Sequence, residues 1–343
     1  HLSGPGFLVQ ALSDAYQPDG ARGFDARLMS RVYDRPFEVV AHATAASMPA
    51  ECEAVESIGG HLDGCRIGFD LGASDFKLAA VRDGEVVFSA EIPWNPVGEP
   101  DPAYHRKCLE DGLRLAATHL PRVDAIGGSS AGIYVDNQVK VASLFRSVPA
   151  DVFAREVKPM FLDLQRRWDV PLVVVNDGDV TALAGAMSLG RRPLLGIAMG
   201  SSEAAGYIDS AGNIKGWLNE LAFAPVDVRP EAPRDEWSGD LGVGALYFSQ
   251  QAVKRLAPAA GISVPDDLPV PKVLSYIQSL ATGGDARALG IFETIGWYLG
   301  HTLALYREFY AFDDVLVLGR VLSGVGGDTL LDRARRILEG CGD

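Results

Sequence analysis

The chain has 343 residues, of which 48% are hydrophobic and 22% charged, the balance of a globular protein rather than a disordered one. Its 31 Lys and Arg against 45 Asp and Glu leave a net charge of −14, which argues against coating nucleic acid, because phosphate neutralisation needs clustered cations. A length well above about 150 residues points to two domains.

Apolar runs are too short to cross a membrane. The opening residues lack the cationic region and apolar run of a signal peptide, so neither a membrane nor export is expected. Cys52, Cys65, Cys108 and Cys341 show no CxxC spacing and read as free thiols in a reducing cytoplasm.

Residues 1–60 are the least legible, an extension with one candidate strand, Phe37–Ala46, between turn-rich flanks and without a helix-turn-helix pattern. From Arg66 the pattern sharpens. RIGFDLG is a short strand ending in glycine, and FKLAAVRDGEVVFSAEI alternates around Asp83-Gly84 as a hairpin. Leu109, Leu113, Ala116 and Leu120 recur at helical spacing. AIGGSSAG reads as a buried strand and 152–168 as a charged helix. PLVVVND lacks alternation, the mark of a strand covered on both faces. A small-residue helix follows, with Asp179 as N-cap and Gly190 as C-cap. Two strands from Leu194 flank a Gly/Ser joint. Helices are expected over about 241–256 and 286–312, the second with Phe292, Ile295, Leu299, Leu303 and Tyr306 on one stripe. DVLVLG reads as a last buried strand before an amphipathic helix. Two hairpin-plus-helix units, starting at Arg66 and Leu194, suggest two similar α/β lobes, 61–178 and 179–343.

Four motifs can carry chemistry. In Asp70-Leu71-Gly72-Ala73-Ser74-Asp75-Phe76-Lys77, Gly72 lets backbone amides approach a phosphate, Ser74 can donate to it, and Asp70 can hold Mg²⁺. Taken alone it reads equally as a tight turn. Asn176-Asp177 ends a strand, where α/β folds place ligands; the carboxylate can accept a hydroxyl proton while the amide orients the hydroxyl. An Asx turn is the alternative. Gly200-Ser201-Ser202 reads as a second phosphate turn or a plain hairpin. Gly319, with Ser323 before the last helix, can seat a nucleoside or phosphate or be simple loop chemistry.

In this order and spacing the set resembles the ROK family of sugar kinases and repressors, within the actin/hexokinase-like (ribonuclease H-like) ATPase fold. The resemblance covers roughly residues 66–338. DLGASDFK is similar to the family's DxGxTxxK; VPLVVVNDGDVTALAGAMSLG to its Asn-Asp strand and helix; IAMGSSEAAGYIDSAGNIKG to its second phosphate hairpin; VLVLGRVLSGVGGDTLL to its adenosine-side segment.

The resemblance implies an α/β fold of two lobes with nucleotide and sugar meeting in the cleft between them. It implies Asp177 as general base, and Gly132, Asn176 and Glu220 on the sugar. Asp70, Gly72, Ser74, Lys77, Gly200, Ser201, Ser202, Gly319 and Ser323 then fall to ATP, with Mg²⁺ near Asp70. The activity implied is ATP-dependent phosphorylation of a sugar hydroxyl, with a small-molecule sugar as partner; homodimers are frequent in that family.

The departures are specific. The zinc motif CxCGxxGC is absent, so no zinc is expected. Phe223 stands at the family histidine, Gly242 is nearest the missing second glutamate, and Arg320 and Val321 replace glycines. The second hairpin is glycine-poor, and a carboxylate at Glu203 would repel a triphosphate unless a metal intervenes. The family also continues past the last helix. A non-catalytic sugar- or metabolite-binding protein with a degraded ATP site is the alternative.

Overall fold

The computed structural model describes residues 1–56, 59–73, 75–265 and 267–340. Two units emerge. The first comprises His1–Glu53 and Gly59–Val180, the second Ala54–Ile58 and Thr181–Asp343.

The first unit opens with α1 (Gly6–Ala15) and α2 (Gly23–Tyr33). The expected strand at Phe37–Ala46 is absent: its only ladder contact is an isolated bridge from Leu2 to Ala41, and a 3₁₀ turn occupies Ala45–Ser47. β1 (Val55–Glu56) joins the second unit's sheet. Then come β2 (Cys65–Leu71), β3 (Asp75–Arg82), β4 (Glu85–Pro93), α3 (Pro102–Ala117) and β5 (Ala125–Ser130). A small hairpin, β6 (Ile133–Val135) and β7 (Gln138–Val141), precedes a helical turn α4 (Ala150–Val152) and α5 (Met160–Trp168). β8 (Leu172–Asn176) leads into α6 (Asp177–Leu189).

The sheet order is β4-β3-β2-β5-β8, with β2, β5 and β8 parallel. The β3–β4 hairpin turns on Asp83 and Gly84, both with left-handed φ, as the sequence expects. Asp101 caps α3 through the Ala103 N–H, and Leu109, Leu113 and Ala116 are buried on one face. Helix 152–168 is interrupted at Pro159, which cannot donate into the helix. β8 is an edge strand: Leu172 and Val174 are buried, while Val173 and Val175 keep partial exposure, so cover on both faces is not found.

The extension is pinned to this unit by charge. The Asp34 carboxylate accepts hydrogen bonds from Lys140 and Lys158, both at 2.6 Å, with Lys140 only 6% exposed. These two ammonium groups hold the Asp34 carboxyl below the usual carboxylate range.

In the second unit, β9 (Leu194–Met199), β10 (Glu203–Ile208) and β11 (Ile214–Lys215) form a meander. α7 (Gln250–Ala259), α8 (Val270–Thr282) and α9 (Ala286–Tyr306) follow. β12 (Asp314–Leu318) and α10 (Gly324–Gly340) complete it. Sheet order is β1-β11-β10-β9-β12, with β12 parallel to β9. Each unit thus has an antiparallel meander whose first strand takes a later parallel neighbour, the duplication suggested by the sequence. All five stripe residues of α9 are buried. The helix expected over 241–256 starts only at Gln250, where Ser249 accepts from the Gln251 N–H; Gly242 with left-handed φ and a 3₁₀ turn at Gly244–Leu246 precede it. Among the described residues no helix is long and apolar enough to cross a membrane.

Candidate functional site

In the first unit three parallel strand ends bring the predicted residues into adjacent register. Asp70 pairs with Ser129, and Ser130 pairs with Asn176. Asp177, one residue past β8, begins α6, so Asp179 lies in the first turn instead of capping it. Burial and the nearby Asp70 charge raise the Asp177 carboxyl above the usual carboxylate range, opposed by the Gly178 N–H that donates to it at 3.0 Å. The Asn176 amide is built into the backbone: its oxygen accepts from the Gly178 N–H at 2.7 Å and its Nδ2 donates to the Gly132 carbonyl at 2.7 Å. Gly132 has φ 126°, and a Cβ there would collide with the Val141 carbonyl. The site residue and the Asx turn are therefore one structure here.

Asp70 faces Lys77 across β2–β3, with Lys77 Nζ 4.0 Å from Asp70 and 3.8 Å from Asp75. Gly72 closes the turn by donating to the Asp75 carbonyl at 3.0 Å, and its own carbonyl accepts from the Trp94 indole at 2.8 Å. Ser74 lies outside the described residues. The Asp70 carboxylate keeps 45% of its surface exposed and can hold a hard cation.

The sequence reading missed two residues beside Asp177. The Tyr134 hydroxyl donates to Ser130 Oγ at 2.6 Å; burial, and then the Asp177 charge, hold it protonated. Its only signal was the position of SSAGIY after a strand end.

In the second unit, Gly200, Ser201 and Ser202 form the β9–β10 turn. The Gly200 N–H donates to the Ser202 carbonyl at 3.0 Å, and its carbonyl accepts from Gln250 at 2.9 Å. Both serines are exposed and none of the three residues has left-handed φ. Gly319 packs on Met199, where a Cβ would collide with the carbonyl, so the segment after β12 adjoins this turn. Gln278 donates to the Arg320 carbonyl at 2.7 Å and the Ser323 carbonyl at 3.3 Å, fixing that segment.

Glu220 heads the 3₁₀ turn Leu221–Phe223. Glu203 departs from its sequence reading: it is 5% exposed, on the inner face of β10. Burial, and then the Glu220 charge, push it up to about 8. A carboxyl that is protonated at neutral pH does not repel a triphosphate.

The segment without zinc cysteines is tied by polar bonds. Asp227, buried, accepts from Arg229 at 2.7 Å and the Tyr247 hydroxyl at 2.7 Å; the Arg229 guanidinium first, then Tyr247, drive its carboxyl far below the usual range. Asp235 accepts from the Trp237 and Ser238 N–H groups. Among the described residues, no three His, Cys, Asp or Glu side chains are placed to hold a metal.

No protein-family model matches the sequence, and no curated protein matches it significantly. Solved structures match its fold. A ROK hexokinase from Thermus thermophilus is 18% identical, with TM-score 0.63, covering 80% of this chain and 89% of that one. A ROK glucokinase from Streptomyces griseus, in complex with glucose and AMPPNP, is 21% identical, with TM-score 0.61 and coverage of 80% and 90%. A ROK transcriptional regulator, a homologue of the E. coli MLC protein, is 18% identical, with TM-score 0.65 and coverage of 81% and 70%. The chain has the ROK fold. The ROK fold carries kinases and regulators alike, so function rests on the residues.

Proposed function

We propose that the chain is a ROK-family sugar kinase that phosphorylates a sugar hydroxyl with ATP. One observation supports this above the others. Asp177 stands at a strand end with a carboxyl raised by burial and by Asp70, as a general base near neutral pH requires. Asp177 takes the acceptor hydroxyl's proton on a carboxylate oxygen. Asn176 and Gly132 hold the backbone that aims it, and Tyr134, kept protonated, donates to Ser130 beside it. Glu220 accepts hydrogen bonds from acceptor hydroxyls.

Each unit, taken by itself, offers groups suited to part of Mg-ATP. Asp70 offers an exposed carboxylate for the cation, Ser201 and Ser202 offer exposed hydroxyls to phosphate, and a protonated Glu203 removes the repulsion expected from sequence. Mg-ATP, when bound, supplies the phosphoryl group and the cation that offsets its charge. Gly319 and Ser323 line the nucleoside side.

Calorimetry with Mg-nucleotide, followed by an ADP-release screen over hexoses, amino sugars and polyols, tests this reading. Nucleotide binding with sugar-dependent ADP release supports it. Sugar binding without nucleotide binding would instead favour a sensor. The Gly200 turn favours that second reading, because one of its amides is already spent on Ser202.

A further inference from the structure

Between β2 and β3 the chain turns through Gly72 and Ala73. The Gly72 N–H is used inside the turn, donating to the Asp75 carbonyl at 3.0 Å, and a Cβ at Gly72 would meet that carbonyl at 2.7 Å. Glycine by itself leaves the peptide plane that follows it free to rotate. Trp94 stops that rotation: its indole N–H donates to the Gly72 carbonyl at 2.8 Å. Trp94 is 6% exposed and is the first residue after β4, whose last residue, Pro93, stands opposite Asp75. Its ring packs on Phe76, with centroids 5.5 Å apart, and edge-on against His105 at 6.1 Å. The three residues that follow are tied as well. The Asn95 N–H donates to the Tyr104 hydroxyl at 2.9 Å, the His105 ring to the Pro96 carbonyl at 3.0 Å, and the Ser147 hydroxyl to the Val97 carbonyl at 2.6 Å. The indole therefore comes from a strap anchored on α3 and Ser147, outside the turn it holds.

The Gly72–Ala73 peptide is trans, and a trans peptide points its C=O and its N–H in opposite directions. With the Gly72 carbonyl held on the buried indole, the Ala73 N–H points the other way, from an exposed residue. Among the described residues nothing accepts that N–H. We propose that the Ala73 N–H is a phosphate-binding donor of this chain, and that Trp94 is the positioning residue that presents it. The inference rests on the Mg-ATP reading of this turn and adds to it the group that touches phosphate and the side chain that aims it. A donor already aimed needs no reorganisation when phosphate arrives. Lys77, with Nζ 4.0 Å from Asp70 and 3.8 Å from Asp75, offsets the carboxylates beside the turn, so an anion can approach. Without the indole N–H the Gly72 carbonyl turns to find water, and the Ala73 N–H turns with it, because the two belong to one rigid plane.

Trp94→Phe keeps a packed aromatic ring and removes the donor. Its KM for Mg-ATP in the ADP-release assay, and its Kd for Mg-ATP in calorimetry, are expected to rise about three- to tenfold, the effect of losing one hydrogen bond. The sugar KM and the circular dichroism spectrum should not change. In the unaltered chain with its alanines labelled with ¹⁵N, the Ala73 amide resonance, assigned as the one lost in Ala73→Gly, should shift on saturation with Mg-ATP. An unchanged Mg-ATP affinity in a folded Trp94→Phe overturns the role of Trp94 and leaves the kinase reading standing. A rise shared equally by the sugar KM marks a tryptophan that only supports the fold, and overturns that role too. An Ala73 resonance that stays still at saturating Mg-ATP overturns the donor, and this measurement decides even where the variant does not fold. Failure of the unaltered chain to bind Mg-ATP overturns both the kinase reading and this inference.

Discussion

Glu203→Gln replaces a buried acid with a neutral side chain of the same shape, and its effect on stability follows from linkage. The carboxyl titrates near 4.5 in an unfolded chain and at about 8 in the fold. Between those values the folded state holds a proton that the unfolded state has lost, so stability falls as pH rises, by about 1.4 kcal/mol per pH unit. The contribution is fully present below pH 4.5. It has dropped by about 3 kcal/mol at pH 7 and by about 5 kcal/mol above pH 8. Glutamine does not titrate, so urea midpoints of the two proteins should diverge with pH. From pH 5 to pH 8 the difference in unfolding free energy should move by about 4 kcal/mol in favour of Glu203→Gln. Any fixed penalty for burying an amide shifts the whole curve without changing its slope, and titrating groups that do not interact with Glu203 cancel in the difference. A difference that stays flat across that range would refute the buried, unpartnered placement of Glu203.

Further expectations concern other positions. Asp177→Asn should abolish sugar-dependent ADP release with an unchanged circular dichroism spectrum. In the unaltered chain, kcat/KM should fall as pH drops through a value above the ordinary aspartate range, because the base must be ionised; an acid limb at the ordinary value would contradict the burial of Asp177. Gly132→Ala should cost about 2–3 kcal/mol, read from urea melts, because a Cβ meets the Val141 carbonyl and φ is 126°; a neutral effect would show that the loop gives way freely. Asp34→Ala should remove two charge-assisted bonds and leave Lys140 buried with only Gln138, a loss of about 1–2 kcal/mol. Limited proteolysis should then cut residues 35–53 faster, and an unchanged cutting rate would show that these bonds do not hold the extension. Metal analysis of the purified protein should find no stoichiometric zinc, given polar ties in place of cysteines across 225–243; one zinc per chain would mean an unseen ligand set.

Where an element buries a strong apolar pattern, it was legible: β2, β3, β9 and α9 stand where the runs of the sequence put them; β12 also stands where its run puts it, but it is not the buried strand expected, since each of its residues keeps partial or full exposure. Elements that bury little gave no signal. α1 has no buried residue, so its apolar side chains carry no periodicity tied to a core. β6 and β7 are three and four residues long around Asp136 and Asn137, too short to alternate visibly. α8 did carry a stripe, Val273, Leu274, Ile277 and Ala281, but the prolines around its start masked it. The site divides the same way. Asp70, Asn176 and Asp177 were readable because a strand end is a local feature, and the register of β2, β5 and β8 then sets them side by side. The state of Glu203 was not readable, because it depends on partners far along the chain: Gly244 for its space, Glu220 for its charge, Tyr306 for its silence as a donor. A carboxylate after a phosphate-type turn reads as repulsion in one dimension. One residue of strand alternation turns it inward, where burial raises its carboxyl to about 8 and leaves it protonated at neutral pH.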